Sequence, residues 1–189
     1  MEMFITGDPY PRETLKNYIS QIRGVSYKPS DLRSSLSDDS VLLLRANNID
    51  KGKINHDDVQ YVSVEKVSES QLIQQNDIIL CASSGSLEHV GKSALCSSCT
   101  VGETFGAFCK LIRPKGRLQA EYIAAYLETD EYRDKIMQLA CGSNINNLKN
   151  EHIDYLPIPI PDEEAQLRFI AIAHQSDKSK HLLEICPFF

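Results

Sequence analysis

No apolar run in this sequence approaches the ~20 residues that a membrane-spanning helix needs. The first residues, Met1-Glu2-Met3-Phe4-Ile5-Thr6-Gly7-Asp8, lack a basic stretch followed by an apolar one, so they do not read as a signal peptide. The expectation is a soluble, cytoplasmic protein with no membrane partner. No self-similarity recurs at a period of roughly 20–50 residues, which excludes a solenoid. Positive charge is also short: 20 Lys and Arg stand against 26 Asp and Glu, a formal net charge of −6. That balance argues against a binder held to nucleic acid by overall charge. Zinc chemistry is incomplete. Cys96-Ser97-Ser98-Cys99 has metal-ligand spacing, but zinc takes four ligands and no second close Cys or His pair supplies the rest. The other cysteines are Cys81, Cys109, Cys141 and Cys186; those in apolar settings, such as Ile79-Leu80-Cys81-Ala82, read as small buried thiols.

What is present describes an ordinary globular chain. Its 189 residues, 42% hydrophobic and 24% charged, allow one sizeable domain or one domain with an appended element. The charge is unevenly placed. Residues 1–119 hold 14 Lys/Arg and 14 Asp/Glu, while residues 120–189 hold 6 and 12. The neutral first part can still gather its cations on one face, whereas the acidic last third is ill suited to lie along phosphates.

Periodicity divides the chain at about the same place. Leu15-Lys16-Asn17-Tyr18-Ile19-Ser20-Gln21-Ile22 reads as a short amphipathic piece ended by Gly24, and residues 26–40, rich in Ser, Asp and Pro, as a surface loop. Val41-Leu42-Leu43-Leu44 and Asp77-Ile78-Ile79-Leu80-Cys81-Ala82 are apolar runs fit for buried strands. Asp50-Lys51-Gly52-Lys53 signals a turn, and residues 90–95 and 107–112 are further strand candidates. Long polar connections join these pieces, and such loops in a compact domain usually carry function. From Gln119 the period becomes helical, through Tyr122, Ile123, Tyr126, Leu127, Ile136 and Leu139. One helix, kinked or straight, is expected to about residue 140, with Gly142 as its left-handed stop. Leu156-Pro157-Ile158-Pro159-Ile160-Pro161 must be extended, because prolines on alternate positions forbid a helix. Asp162 then reads as the N-cap of a second helix, with Glu163 and Glu164 in its first turn, running to about Ile185 before Pro187.

Several constellations invite chemistry and fall short of it. Ser83-Ser84-Gly85-Ser86 follows a strand, but Gly85 to Gly91 is one residue too long for a Walker loop and no helix opens there. Glu88 and His89 are adjacent; on a strand they would point to opposite faces and not act as a pair. Asn144, Asn146 and Asn147 form either a turn after the helix or a polar surface facing a ligand or DNA.

The order of these pieces resembles the specificity subunits of type I restriction–modification systems. Leu43-Leu44-Arg45-Ala46-Asn47-Asn48-Ile49 followed by Gly52 looks like the family's strand-then-turn pattern. Gln75-Asn76-Asp77-Ile78-Ile79-Leu80 into Ser83-Ser84-Gly85, then Val90-Gly91-Lys92-Ser93-Ala94, is similar to its next block, and Gly102-Glu103-Thr104-Phe105-Gly106-Ala107-Phe108 to the strand after that. Most specific are Gly142-Ser143, Asn147-Leu148, Ile153, the Pro-rich run, Glu164 and Gln166, which resemble the join between recognition domain and conserved helix. The sequence departs from the family in holding no tryptophan near the domain start, or anywhere.

The resemblance implies an α+β fold: a twisted, mostly β target-recognition domain over residues 1–160 with a packed helix, and a helical arm over residues 161–189. It implies double-stranded DNA as ligand, a methyltransferase subunit as direct partner, and a restriction subunit reached through the complex. Pairing of two copies of this half is a further expectation. The chain itself should be non-catalytic and hold no cofactor, with S-adenosylmethionine and ATP carried by the partners, and no metal. DNA contacts are expected from Lys28, Arg33, Arg45, Asn47, Asn48, Lys51, Lys53, Ser84, Ser86, His89, Lys92, Asn144 and Asn146, and partner contacts from Leu167, Ile170, Ala173 and Leu182. Two other readings stand beside this one: a docking module that binds a methyltransferase without reading DNA, and a small enzyme using Ser84, His89 or the cysteines.

Overall fold

The computed structural model describes residues 10–140 and 147–185, with side chains at 140 and 176–185 excepted. Twelve short strands and four α-helices follow one another among these residues, an α+β arrangement. Its centre is an antiparallel sheet ordered β2 (Ile19–Arg23), β11 (Cys109–Pro114), β8 (Ile78–Cys81), β9 (Ser93–Leu95). Every residue of β8 is buried, which explains its continuous apolar run: both faces of the sheet are covered. Ile78 and Leu80 join the cluster formed with the helices, whereas Ile79 and Cys81 face a second cluster containing Leu44, Ile49 and Phe105. That second cluster belongs partly to a mixed sheet ordered β10 (Thr104–Phe105), β4 (Ser40–Leu44), β7 (Gln60–Ser63), β3 (Leu32–Arg33), in which only β10 and β4 run parallel.

The two sheets approach closely at one point. A Cβ on Gly24 would stand 2.1 Å from the Gly106 carbonyl oxygen, and Val25 bridges to Gly106. Glycine is thus required there by space alone. The hairpin of β5 (Ile49–Asp50) and β6 (Lys53–Ile54) turns through Lys51 (φ 45°) and Gly52 (φ 74°), the pair of positive φ values that a two-residue type I′ turn needs.

On the other face lie α1 (Ala120–Tyr126), α2 (Asp130–Ala140), α3 (Asn150–Asp154) and the start of α4 (Glu163–Ile185). The Pro-rich run forms β12 (Pro157–Pro159), paired with β1 (Arg12–Thr14). Its alternation has a physical reason. Ile160 donates to the Pro11 carbonyl, while the carbonyls of Pro159 and Pro157 accept the hydroxyls of Tyr122 and Tyr126 at 3.0 and 3.2 Å. The prolines occupy positions whose missing N–H is not needed, and α1 satisfies their oxygens.

Three expectations are corrected. The single helix over 119–140 is two helices: Thr129 caps α2, accepting the Tyr132 N–H on its hydroxyl while donating to the Tyr126 carbonyl. The amphipathic piece at 15–22 is a 3-10 turn followed by strand β2, because pairing along β11 outweighs local helical spacing. Residues 90–95 are strand only from Ser93, and Leu87–His89 form a 3-10 turn instead. Asp162 does cap α4, accepting the Ala165 N–H at 2.8 Å. Gly142 lies outside the described residues.

Candidate nucleic-acid interface

Cations and amides expected at the interface fall into distinct local settings. The first is an open cleft of about 540 Å³ where the two sheets meet, lined by Val25, Ser26, Tyr27, Arg45, Ala46, Asn47, Gly106, Ala107, Phe108 and Cys109. Arg45 and Asn47 enter it from the 3-10 turn Ala46–Asn48 that follows β4. The Arg45 Nη2 donates to an Asp58 carboxylate oxygen at 2.6 Å, and Asn47 donates to the same oxygen at 3.1 Å. Asp58 is largely exposed, and an exposed ion pair contributes little, so the carboxylate part of this tether is weak; Nη2 also donates to the Asp58 carbonyl at 3.0 Å. The Arg45 Nε is buried without an acceptor.

Asn48 was expected beside Asn47 and is instead interior. Its Oδ1 accepts the Arg45 N–H, and its Nδ2 donates to the carbonyls of Asn55 and Asp58. A buried amide spent on three backbone groups fixes the turn and does not face a ligand.

The second setting is the β5–β6 hairpin, where Lys51 and Lys53 are exposed. Lys92, just before β9, points its ammonium towards Asp50 at 3.9 Å, and the hairpin's Gly52 bridges to Ala94. Lys28 is exposed next to Tyr27 of the cleft. Arg33 lies on β3, ion-paired with Asp39 at 3.0 Å. The Ser37 hydroxyl and Arg33 together hold the Asp39 carboxyl below its usual range. In the loop after β8, the Ser84 hydroxyl accepts the Ser86 N–H at 3.2 Å, and Ser83 bridges to Asn147. His89 and Glu88, expected to point apart, lie within 3.3 Å of one another because a 3-10 turn, not a strand, carries them. Asn144 and Asn146 lie outside the described residues.

Among the described cysteines, Cys81, Cys96 and Cys109 are buried and Cys99 exposed. Burial pushes the Cys81 thiol up to about 11 and Cys96 to about 12, and raises Cys109 further. Such thiols hold their protons and are poor nucleophiles. Among the described residues no group of three or more His, Cys, Asp or Glu side chains could hold a metal ion.

On α4, Ala165, Gln166 and Phe169 turn inward; Phe169 packs edge-to-face on Tyr122 at 5.6 Å. The Gln166 amide accepts the Gln119 N–H and donates to the carbonyls of Arg117 and Pro161, sewing α4 to the start of α1. Ile170 is partly buried against the same cluster, Ala173 is half-buried, and Leu167 and Ile172 are exposed. The side chain of Leu182 lies outside the described residues.

Sequence reasoning missed two cleft residues, Tyr27 and Phe108. Each is an aromatic flanked by small or polar neighbours, Ser26-Tyr27-Lys28 and Gly106-Ala107-Phe108, which was the available signal.

Residues 43–184 match the family described as the type I restriction modification DNA specificity domain. The chain belongs to that family. Within it, the chain is 41% identical over 174 residues to the type I restriction enzyme StySPI specificity subunit of Salmonella potsdam, and 43% identical over 174 residues to the EcoKI specificity subunit of Escherichia coli K12. Each match covers 88% of this chain but 36% of the relative, so the specificity domain described here spans little more than a third of those proteins. The fold of this family member is also that of solved specificity subunits. The HsdS subunit from Thermoanaerobacter tengcongensis superimposes with a TM-score of 0.70 at 14% identity, over 98% of this chain and 42% of that one. A chain solved for the complex assembly and conformational transition of the type I R-M system gives 0.71 at 14% identity, over 95% and 41%.

Proposed function

We propose that this specificity domain reads double-stranded DNA as half of a type I specificity subunit and presents the site to partner enzymes. The observation that carries this reading is the 41–43% identity to two named specificity subunits along most of the chain. The direct partner is a methyltransferase subunit, with a restriction subunit recruited through the complex. S-adenosylmethionine and ATP belong to those partners, and this chain supplies position and sequence choice without a catalytic group. The contacts divide by chemistry. Lys28, Arg45, Lys51, Lys53 and Lys92 supply charge to phosphates, while Asn47, Ser84, Ser86 and His89, with Asn144 and Asn146, supply hydrogen bonds near base edges. The intracellular setting of DNA makes the cytoplasm its place of work.

One observation favours a second reading, a docking module that binds a methyltransferase without reading DNA. Arg33, Arg45 and Lys92 each already face a carboxylate of the same chain. Nuclease footprinting with the methyltransferase subunit present separates the two. A discrete protected site is expected. Stable association with the methyltransferase and no protected DNA would favour the docking module and reject DNA reading.

A further inference from the structure

Among the described residues, Phe108 is the most exposed large hydrophobic side chain, 71% accessible, and the only one of that exposed set that lines the cleft. Single exposed apolar residues are common on surfaces, so its support matters more than its exposure. The Phe108 carbonyl accepts two N–H groups, from Ala82 at 2.8 Å and Ser83 at 3.0 Å, and the Cys109 N–H closes the turn on the Gly106 carbonyl at 2.8 Å. The contact of Gly24 with Gly106 fixes the base of the same turn. The ring is therefore displayed from a backbone that cannot easily retract it, beside the apolar wall of Val25, Ala46 and Ala107.

We propose that Phe108 is a specificity-determining residue that reads a thymine through its 5-methyl group in the major groove; the inference rests on the DNA-reading role above. The occupant follows from chemistry. A phenyl ring offers no hydrogen bond, and the only apolar group that base pairs display in the major groove is the thymine methyl. The rest of the cleft suits the surroundings of that methyl. Asn47 and Arg45 line the same cleft, and the Arg45 guanidinium is held by the exposed Asp58 carboxylate and the Asp58 carbonyl, with an Nε without an acceptor. Phosphate can replace the Asp58 carboxylate as DNA enters, leaving Phe108 and Asn47 against base edges. Lysines then set affinity and salt dependence, and Phe108 sets identity at one base pair.

The test is selection of duplexes from a randomised pool by the full chain with its methyltransferase partner, for the wild type and Phe108→Ala. Each thymine of the selected site is then replaced by deoxyuridine, which lacks only the methyl. The wild type should enrich a motif in which one such replacement weakens binding roughly fourfold, the worth of one buried methyl. In Phe108→Ala that replacement should change nothing, while the salt slope stays at the wild-type value. A thymine–uracil difference that persists in Phe108→Ala overturns the inference and leaves DNA reading intact, as does a motif with no uracil-sensitive position. Loss of affinity for all sequences together with loss of DNA bending would make Phe108 a wedge and equally overturn it. A wild type that enriches no sequence rejects DNA reading and this inference with it.

Discussion

At the scale of single residues, burial decides which groups can act. Cys81 and Cys109 face one another across β8 and β11, wholly buried, and their raised pKa values leave them protonated at neutral pH. Among the described cysteines, Cys99 should therefore be alkylated first by a maleimide in the native protein, with Cys81, Cys96 and Cys109 reacting only on unfolding; peptide mass spectrometry reads this directly. Early labelling of Cys81 would revive the cysteine enzyme reading. Lys110 makes the complementary case. It lies on β11 beneath α3, its ammonium donating to Asn150 Oδ1 at 2.7 Å and Gln21 Oε1 at 3.3 Å. Burial lowers its pKa from 10.5 to about 8, against the opposing pull of Asp154. Between those values the unfolded chain holds a proton that the folded one has lost, so this group adds stability as pH rises through that window. The unfolding free energy of the wild type relative to Lys110→Met should move in favour of the wild type by on the order of 3 kcal/mol across it. A difference constant with pH would show that Lys110 is not desolvated. The buried thiols were legible from their apolar neighbours, but the burial of Lys110 was not, because in sequence it is one cation in a strand and its burial is set by α3, 40 residues later.

Elements were legible wherever a local rule and the tertiary fold agree. Asp162 capping α4, the alternate prolines of β12 and the turn at Lys51–Gly52 follow from backbone chemistry that no distant contact alters. Misreadings have two causes: β2 gains its strand character from β11 nearly 90 residues away, and the break between α1 and α2 rests on one threonine cap that helical periodicity does not reveal; β7, paired with β4, was not assigned at all. The candidate site divides similarly. Arg45 and Asn47, proposed from sequence pattern, both line the cleft, but the burial of Asn48 depends on its bonds to Asn55 and Asp58. The hairpin yields a test at this scale. Its type I′ turn projects Lys51 and Lys53 from a short, rigid ribbon. If both meet phosphates, Lys51→Ala with Lys53→Ala should flatten the log–log dependence of DNA affinity on salt by up to about 1.8, near 0.9 per contact. An unchanged slope removes the hairpin from the interface.

For the whole molecule, α4 is the element proposed to join this domain to a partner. Its 23 residues extend about 34 Å, and the first turns are held by the domain through Gln166 and Phe169. A stripe at three-residue steps through Leu167, Ile170 and Ala173 does not stay on one face, since each step rotates about 60° short of a full turn. The face that packs is instead centred on Phe169. That leaves Ile172 exposed about 60° to one side of Phe169 and Leu167 about 160° round, on the outward flank, the two about 140° apart. A partner helix therefore covers one of these positions or the other, and the two can be told apart. Leu167→Asp and Ile172→Asp should each leave the thermal midpoint within about 2 °C of the wild type, as surface changes do. Ile170→Asp should lower it, because that side chain packs on the core cluster. If α4 is the interface, one of the two flank variants should abolish sedimentation as a complex with the methyltransferase subunit, or as a pair of chains, while the other leaves it intact. A symmetric pair would further require a DNA site with two inverted halves, because a two-fold axis repeats the same recognition surface. Association unchanged in both variants would assign α4 to bracing its own domain and place the partner surface elsewhere.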